Sequence, residues 1–227
     1  MDLLNQHTFP AMGLERTTEN RFLRLESKGV QRASSLTSPD SVGKDWTLDA
    51  LTGRVIEVSG AADTAALTVC ASLILQAQQQ GGLAAWVAGS ESLFYPPDFA
   101  ASGIDLKTIP VVRVADTLNG AHAADTLIRS GAFTVVVLDI GRTLDLSFSV
   151  QTRLVGLAKK HHTALLVITR QLRNNTVHSS LASLRAETQK KRGKRGFFLC
   201  EVCAVKDKRR AAGWNHTEVC RGPDGLY

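Results

Sequence analysis

Residues 53–69 read GRVIEVSGAADTAALTV, and their order decides the fold. A short β-branched run at 55–58 enters Gly60, and an apolar helix is expected from about Leu67. A buried strand, a glycine turn and a helix in that order cradle phosphate in many ATPases. A working cradle needs a second glycine, a lysine against the phosphate charge and a hydroxyl for magnesium. Those places hold Ala65, Ala66 and Leu67, and Asp63 adds a negative charge to the turn. An ATPase scaffold without its phosphate chemistry is expected.

Composition narrows the class. The chain has 227 residues, is 44% hydrophobic and carries a formal net charge of +6. That length can bury one good core. No apolar run reaches membrane-spanning length, and no signal-like start is present, so a cytoplasmic protein is expected. The charge is local. Between Arg185 and Arg210 stand Arg185, Lys190, Lys191, Arg192, Lys194, Arg195, Lys206, Lys208, Arg209 and Arg210, opposed by Glu187, Glu201 and Asp207. The rest of the chain is close to neutral. A concentrated basic segment points to a polyanion, with a solvated hairpin as the bland reading.

Residues 1–45 differ from the remainder. A helix is expected near 14–27, followed by the polar linker SSLTSPDSVGK at 34–44. This appendage docks on the core, docks on another chain or stays mobile. From Trp46 strands and helices alternate. Strands are expected at 55–58, 83–88, 111–114, 133–140 and 164–169, with helices at 67–80, 121–130 and 149–161. This rhythm predicts an α/β fold with a mostly parallel sheet flanked by helices. Residues 197–205 and 216–220 read as paired antiparallel strands that extend the sheet, with the basic segments at their turns.

Few residues suggest chemistry. Asp139 ends the apolar run VVVL, where an ATPase places its magnesium-binding acid; without a cradle, a structural role such as bonding the turn at Gly141 is expected. Cys200, Cys203, His216 and Cys220 have the spacing of a zinc site. Against zinc, residues three apart on one strand point to opposite faces. Disulfides are not expected in a cytosolic protein. No nucleophile–base pair and no cofactor motif stands out.

Four segments in order resemble the RecA recombinase core. GRVIEVSG at 53–60 is similar to the strand entering its phosphate loop. SGAFTVVVLD at 130–139 resembles its strand ending in the magnesium acid. LLVITRQLR at 165–173 resembles the strand that ends in Asn-Gln-Ile-Arg, and VKDK at 205–208 resembles Val-Lys-Asn-Lys. The resemblance implies that Gln171 matches a nucleotide-sensing glutamine, with Arg170 replacing its asparagine neighbour. It implies that Lys206 and Lys208 match lysines that reach nucleotide across a filament interface. The departures are equally specific. Ala66 and Leu67 replace the lysine and the threonine, and the catalytic glutamate falls near Ser90, with Glu91 one place off. The first DNA-binding loop shrinks to 141–147 and the second to 173–180, and the large C-terminal domain has no counterpart.

A short RecA-like chain with a broken phosphate loop looks most like the ImuA family. That resemblance implies a non-catalytic accessory protein of damage-induced, error-prone translesion synthesis. Its implied partners are an ImuB-type inactive polymerase homologue, RecA, the error-prone polymerase, and single-stranded or primer-template DNA, with self-association open. DNA contact is expected at Lys190, Lys191, Arg192, Lys194, Arg195, Lys206, Lys208, Arg209 and Arg210. Gly60, Ala66, Leu67, Asp139 and Gln171 form the degenerate nucleotide site. Two other classes stay in view: a weak nucleotide hydrolase using Asp139, Glu91 and Gln171, and a pure protein-binding module like the cell-division inhibitors of the same fold.

Overall fold

The computed structural model describes residues 46–60, 65–141, 146–170, 182–193 and 197–221. They lie in one compact unit, Val42–Tyr227. In chain order the elements are α1 (Leu48–Leu51), β1 (Val55–Ser59), α2 (Ala66–Gln79), β2 (Leu83–Ala88) and α3 (Pro96–Ala101). A 3-10 turn (Leu106–Thr108) leads to β3 (Val111–Arg113), α4 (Thr117–Arg129), β4 (Phe133–Asp139), α5 (Phe148–Lys160) and β5 (Ala164–Thr169). Three long strands follow: β6 (Leu184–Arg192), β7 (Phe197–Asp207) and β8 (Asn215–Arg221).

All eight strands form one sheet in the order β3-β2-β4-β5-β1-β6-β7-β8. Strands β1 to β6 run parallel, and β7 and β8 are antiparallel additions. The expected mostly parallel α/β sheet with antiparallel C-terminal strands is therefore present. The central strands β4 and β5 are apolar along most of their length because both of their faces are covered. On one face α1, α2 and α3 pack Leu51, Leu73, Ile74 and Phe99 against Ile56, Trp86, Val137 and Leu166. On the other, α4 and α5 pack Ala124, Ile128 and Leu154 against Val55, Val136 and Leu165. Trp86 lies 5.1 Å from Phe94 and 5.2 Å from Phe99, ring centre to ring centre. That aromatic trio anchors the loop after β2, which carries Glu91 and Ser92.

Two elements depart from expectation. The helix expected at 121–130 begins at Thr117, because Asp116 caps it by accepting from the Asn119 amide at 2.8 Å. More consequentially, residues 184–192 form a strand, not a turn. Leu184, Ala186 and Thr188 alternate inward and their neighbours face out, a period of two that the following run of charge obscures.

Gly89 closes β2 against β4, and its amide donates to the Asp139 carbonyl at 2.8 Å. A Cβ there would stand 2.9 Å from the Ile140 Cα and 3.3 Å from its carbonyl carbon, both backbone atoms. Gly89→Ala is therefore expected to lower unfolding free energy by about 1–3 kcal/mol, read from urea melts. An unchanged midpoint would show that the two strand ends are free to separate.

Candidate functional site

In a parallel sheet the carboxyl ends of the strands gather along one edge. Here that edge brings together Ser59, Ala88, Asp139 and Thr169. Asp139 is fully buried there. Its Oδ2 accepts from the Ser92 hydroxyl at 2.6 Å and from the Leu93 amide at 3.2 Å. Its Oδ1 accepts from Arg170 Nη2 at 2.9 Å. Arg170 Nη1 also lies 3.9 Å from Glu91 Oε2. A Cβ on Gly141, whose φ is 105°, would lie 3.0 Å from that same carboxylate oxygen. Asp139 thus bonds the loop after β2 and the end of β5, rather than the turn at Gly141. Burial pushes its carboxyl above the ordinary range, against the opposing pull of Ser92, Arg170 and the Leu93 amide.

Arg170 was legible in the sequence only as a departure at the end of an apolar strand. In space it is a cation bridging two carboxylates, Glu91 and Asp139. Glu91, one place off the expected glutamate, shares the Arg170 guanidinium with Asp139. Gln171 and Asp63 lie outside the described residues.

The neighbouring helix start is apolar. Ala65 precedes α2 with no side-chain cap, and Ala65 and Ala66 are buried. Leu67 packs against the core. Ala66 and Leu67, expected at the places of the phosphate lysine and the magnesium hydroxyl, both pack into or against the core. Gly60 follows β1 directly, and residues 61–64 lie outside the described residues. Further along α2, burial and then the Asp139 charge push the Cys70 thiol well up, as suits a core cysteine.

The basic residues divide into two groups. Lys190, Lys191 and Arg192 end β6, toward the same edge as Asp139; the three strand spacings from β4 to β6 amount to about 14 Å, and the register carries Lys190 four residues, about 13 Å, beyond the level of Asp139. Lys190 sits 4.0 Å over the Phe198 ring, and Lys191 pairs with Glu201 at 2.7 Å. Lys206, Lys208, Arg209 and Arg210 lie at the other end of β7. Cys200 pairs with Lys190, and six residues separate it from Lys206, which puts the groups about 20 Å apart. One cluster in sequence is two in space. Lys194 and Arg195 lie outside the described residues.

The far group is partly structural. Arg209 donates to the Thr52 and Gly53 carbonyls, both at 3.4 Å, closing the end of α1. Asp207, its neighbour, accepts from Arg54 at 2.5 Å, from the Arg209 amide at 2.9 Å and from Trp214 Nε1 at 3.1 Å. Burial, and then the charges of Lys208 and Arg185, lower the Lys206 ammonium.

The four zinc-spaced residues do not all converge, because Cys203 faces away from the other three. Cys200 is buried and Cys203 exposed, as their places on one strand require. Among the described residues no group of three or more histidine, cysteine or acidic side chains is arranged to hold a metal ion.

Residues 23–176 match the family model of the RecA N-terminal domain. The chain belongs to the RecA N-terminal domain family. The match starts inside the segment that composition set apart and ends before β6. Similar curated proteins include Protein RecA of Rubrobacter xylanophilus, 31% identical over 121 residues that cover 52% of this chain and 34% of that one. Protein RecA of Kineococcus radiotolerans is 35% identical over 88 residues, 38% of this chain and 25% of its own. Protein RecA of Acidiphilium cryptum is 31% identical over 121 residues, 52% and 35% respectively. The chain thus spans about a third or less of the RecA proteins it matches. Among the described residues no helix is long and apolar enough to cross a membrane.

Proposed function

We propose that this RecA-family chain is a non-catalytic accessory protein of error-prone translesion DNA synthesis, acting as an ImuA-type adaptor between DNA and a polymerase cassette. The observation that carries the reading is the Arg170–Asp139 pair at 2.9 Å, together with apolar side chains at Ala66 and Leu67. A carboxylate already satisfied by an internal guanidinium and two further donors is poorly disposed to hold magnesium. A helix start without lysine lacks the main electrostatic stabiliser of a transferring phosphoryl group. The fold is kept and the hydrolytic parts are replaced, as suits a protein that binds through its surface. An ImuB-type polymerase homologue, RecA and the error-prone polymerase are the partners of this reading.

DNA contact is assigned to Lys190, Lys191 and Arg192, which share one edge of the sheet. The second reading is a pure protein-binding module like the cell-division inhibitors. In its favour, Arg209 and Asp207 serve the fold rather than a ligand.

Fluorescence anisotropy of labelled single-stranded DNA, titrated with salt, separates the two. Binding is expected to be steep in salt and indifferent to ATP and magnesium. Lys190→Ala with Arg192→Ala is expected to flatten the plot of log affinity against log salt by roughly two units, about one for each phosphate contact. No binding by the wild-type protein at low salt gives the protein-binding reading. Binding that needs ATP and magnesium overturns the non-catalytic one.

A further inference from the structure

Between α2 and the β7–β8 pair lies a buried polar cluster that the proposed function does not use. The antiparallel register pairs Cys200 with Glu218 and Phe198 with Cys220. The two cysteines are therefore diagonal neighbours on the face that packs against α2. Cys200 is fully buried and Cys220 partly so. Their thiols hydrogen-bond each other, so the two sulfurs already face one another. Around them stand Glu218, which accepts from Ser72 at 3.3 Å and meets His216 Nε2 at 2.9 Å, and Lys190, directly opposite Cys200 on β6.

We propose that Cys200 and Cys220 are a dithiol modification site, oxidised by peroxide to a reversible disulfide that ties β8 to β7. Cys220 is the thiol that a small oxidant reaches, and Cys200 is the buried resolving partner. The shared hydrogen bond is the largest influence on both groups. It eases ionisation of Cys200, with help from Lys190, and holds the proton on Cys220.

The steps balance from that singly ionised pair. The Cys200 thiolate first takes the Cys220 proton across their shared hydrogen bond, and the Cys220 thiolate so formed attacks one peroxide oxygen as the O–O bond breaks. Hydroxide leaves, and Cys220 becomes a sulfenic acid. The Cys200 sulfur then displaces the hydroxyl group from Cys220. The S–S bond forms, the S–O bond breaks, and the Cys200 proton leaves with the hydroxyl as water. Two sulfurs lose one electron each, and peroxide takes up both.

The strand arrangement allows the closure. A hydrogen-bonded sulfur pair must approach by about 1.5–2 Å to reach a bond length near 2.05 Å. Among the described residues β8 pairs with β7 alone, so an edge strand makes that movement, not a central one. In a reducing compartment the bond is transient, which is the behaviour of a sensing pair rather than a structural one.

Mass spectrometry on the full chain carrying Cys203→Ser tests the site, since Cys203 is exposed and shares a tryptic peptide with Cys200. After graded hydrogen peroxide and alkylation, the peptide 196–206 is expected linked to 211–221, two hydrogens lighter than the separate pair. Dithiothreitol should reverse the link. The oxidised wild-type protein should also melt several degrees higher than the reduced one, as expected when a cross-link restricts the unfolded chain. Cys220 found as sulfinic acid while Cys200 remains alkylatable overturns the proposal. So does a disulfide that forms only through Cys203 in the unsubstituted chain.

Discussion

Arg54→Met is expected to destabilise the protein by about 3–5 kcal/mol, the usual cost of leaving one member of a buried ion pair without its partner. The Arg54 side chain is 2% exposed and the Asp207 side chain 0%. Arg54 also donates to the Ser183 hydroxyl and carbonyl, both at 3.0 Å. It joins the start of β1 to the end of β7 and to the residue just before β6. Urea melts at neutral pH read the loss. The double variant Arg54→Met, Asp207→Leu should recover most of it, because replacing both charges removes the unpaired carboxylate. A double variant as weak as the single would show that packing, not charge, carries the effect.

The same pair fixes a direction in pH. Burial by itself would raise the Asp207 carboxyl, but hydrogen bonds from the Arg209 amide, Arg54 and Trp214 outweigh it and hold the carboxyl below the usual range. A lowered folded-state value contributes stability above the unfolded value of about 4. That contribution disappears as pH falls through the folded value. The double variant should therefore lose less stability than the wild-type protein on going from pH 5 to pH 2.

Arg170→Ala is expected to be the second large effect, about 2–4 kcal/mol at pH 7.5. The range sits below that for Arg54 because the Arg170 side chain is 21% exposed. Asp139 already has a raised carboxyl because it is buried. A raised folded-state value means that ionisation costs stability, absent below the unfolded value and complete above the folded one. Loss of Arg170 moves the folded value further up. The difference between variant and wild type should therefore shrink between pH 7.5 and pH 5, as Asp139 takes up its proton. Arg170→Ala with Asp139→Asn should remove the pH dependence. A cost that stays level across this range would mean that Asp139 finds another cation when Arg170 is gone.

Both pairs show where linear reading stops. In the sequence Arg54 stands just before a strand and Asp207 stands within a basic run, and nothing local links them. They are 153 residues apart in the chain and meet because the antiparallel β7 ends where the parallel β1 begins. Arg170 and Asp139 meet because β4 and β5 are neighbours whose carboxyl ends coincide. Glu91 joins them because the ring contacts of Phe94 with Trp86 and Phe99 position the loop on which it lies.

What the amino-acid order determined by itself was local. Strands covered on both faces must be apolar throughout, so FTVVVLD and ALLVIT announced themselves, and the intervening amphipathic stretches announced the helices. The missing lysine and hydroxyl at Ala66 and Leu67 were equally plain, since a motif is defined by residue types at fixed spacing. Tertiary structure alone decided which charges face each other and how far apart they stand. The basic run at 185–210 is continuous along the chain, yet each residue of an extended strand advances about 3.3 Å. A hairpin therefore carries Lys190 and Lys206 to opposite ends. Which strands pair is set by contacts between residues distant in sequence, and the local pattern does not name the partner.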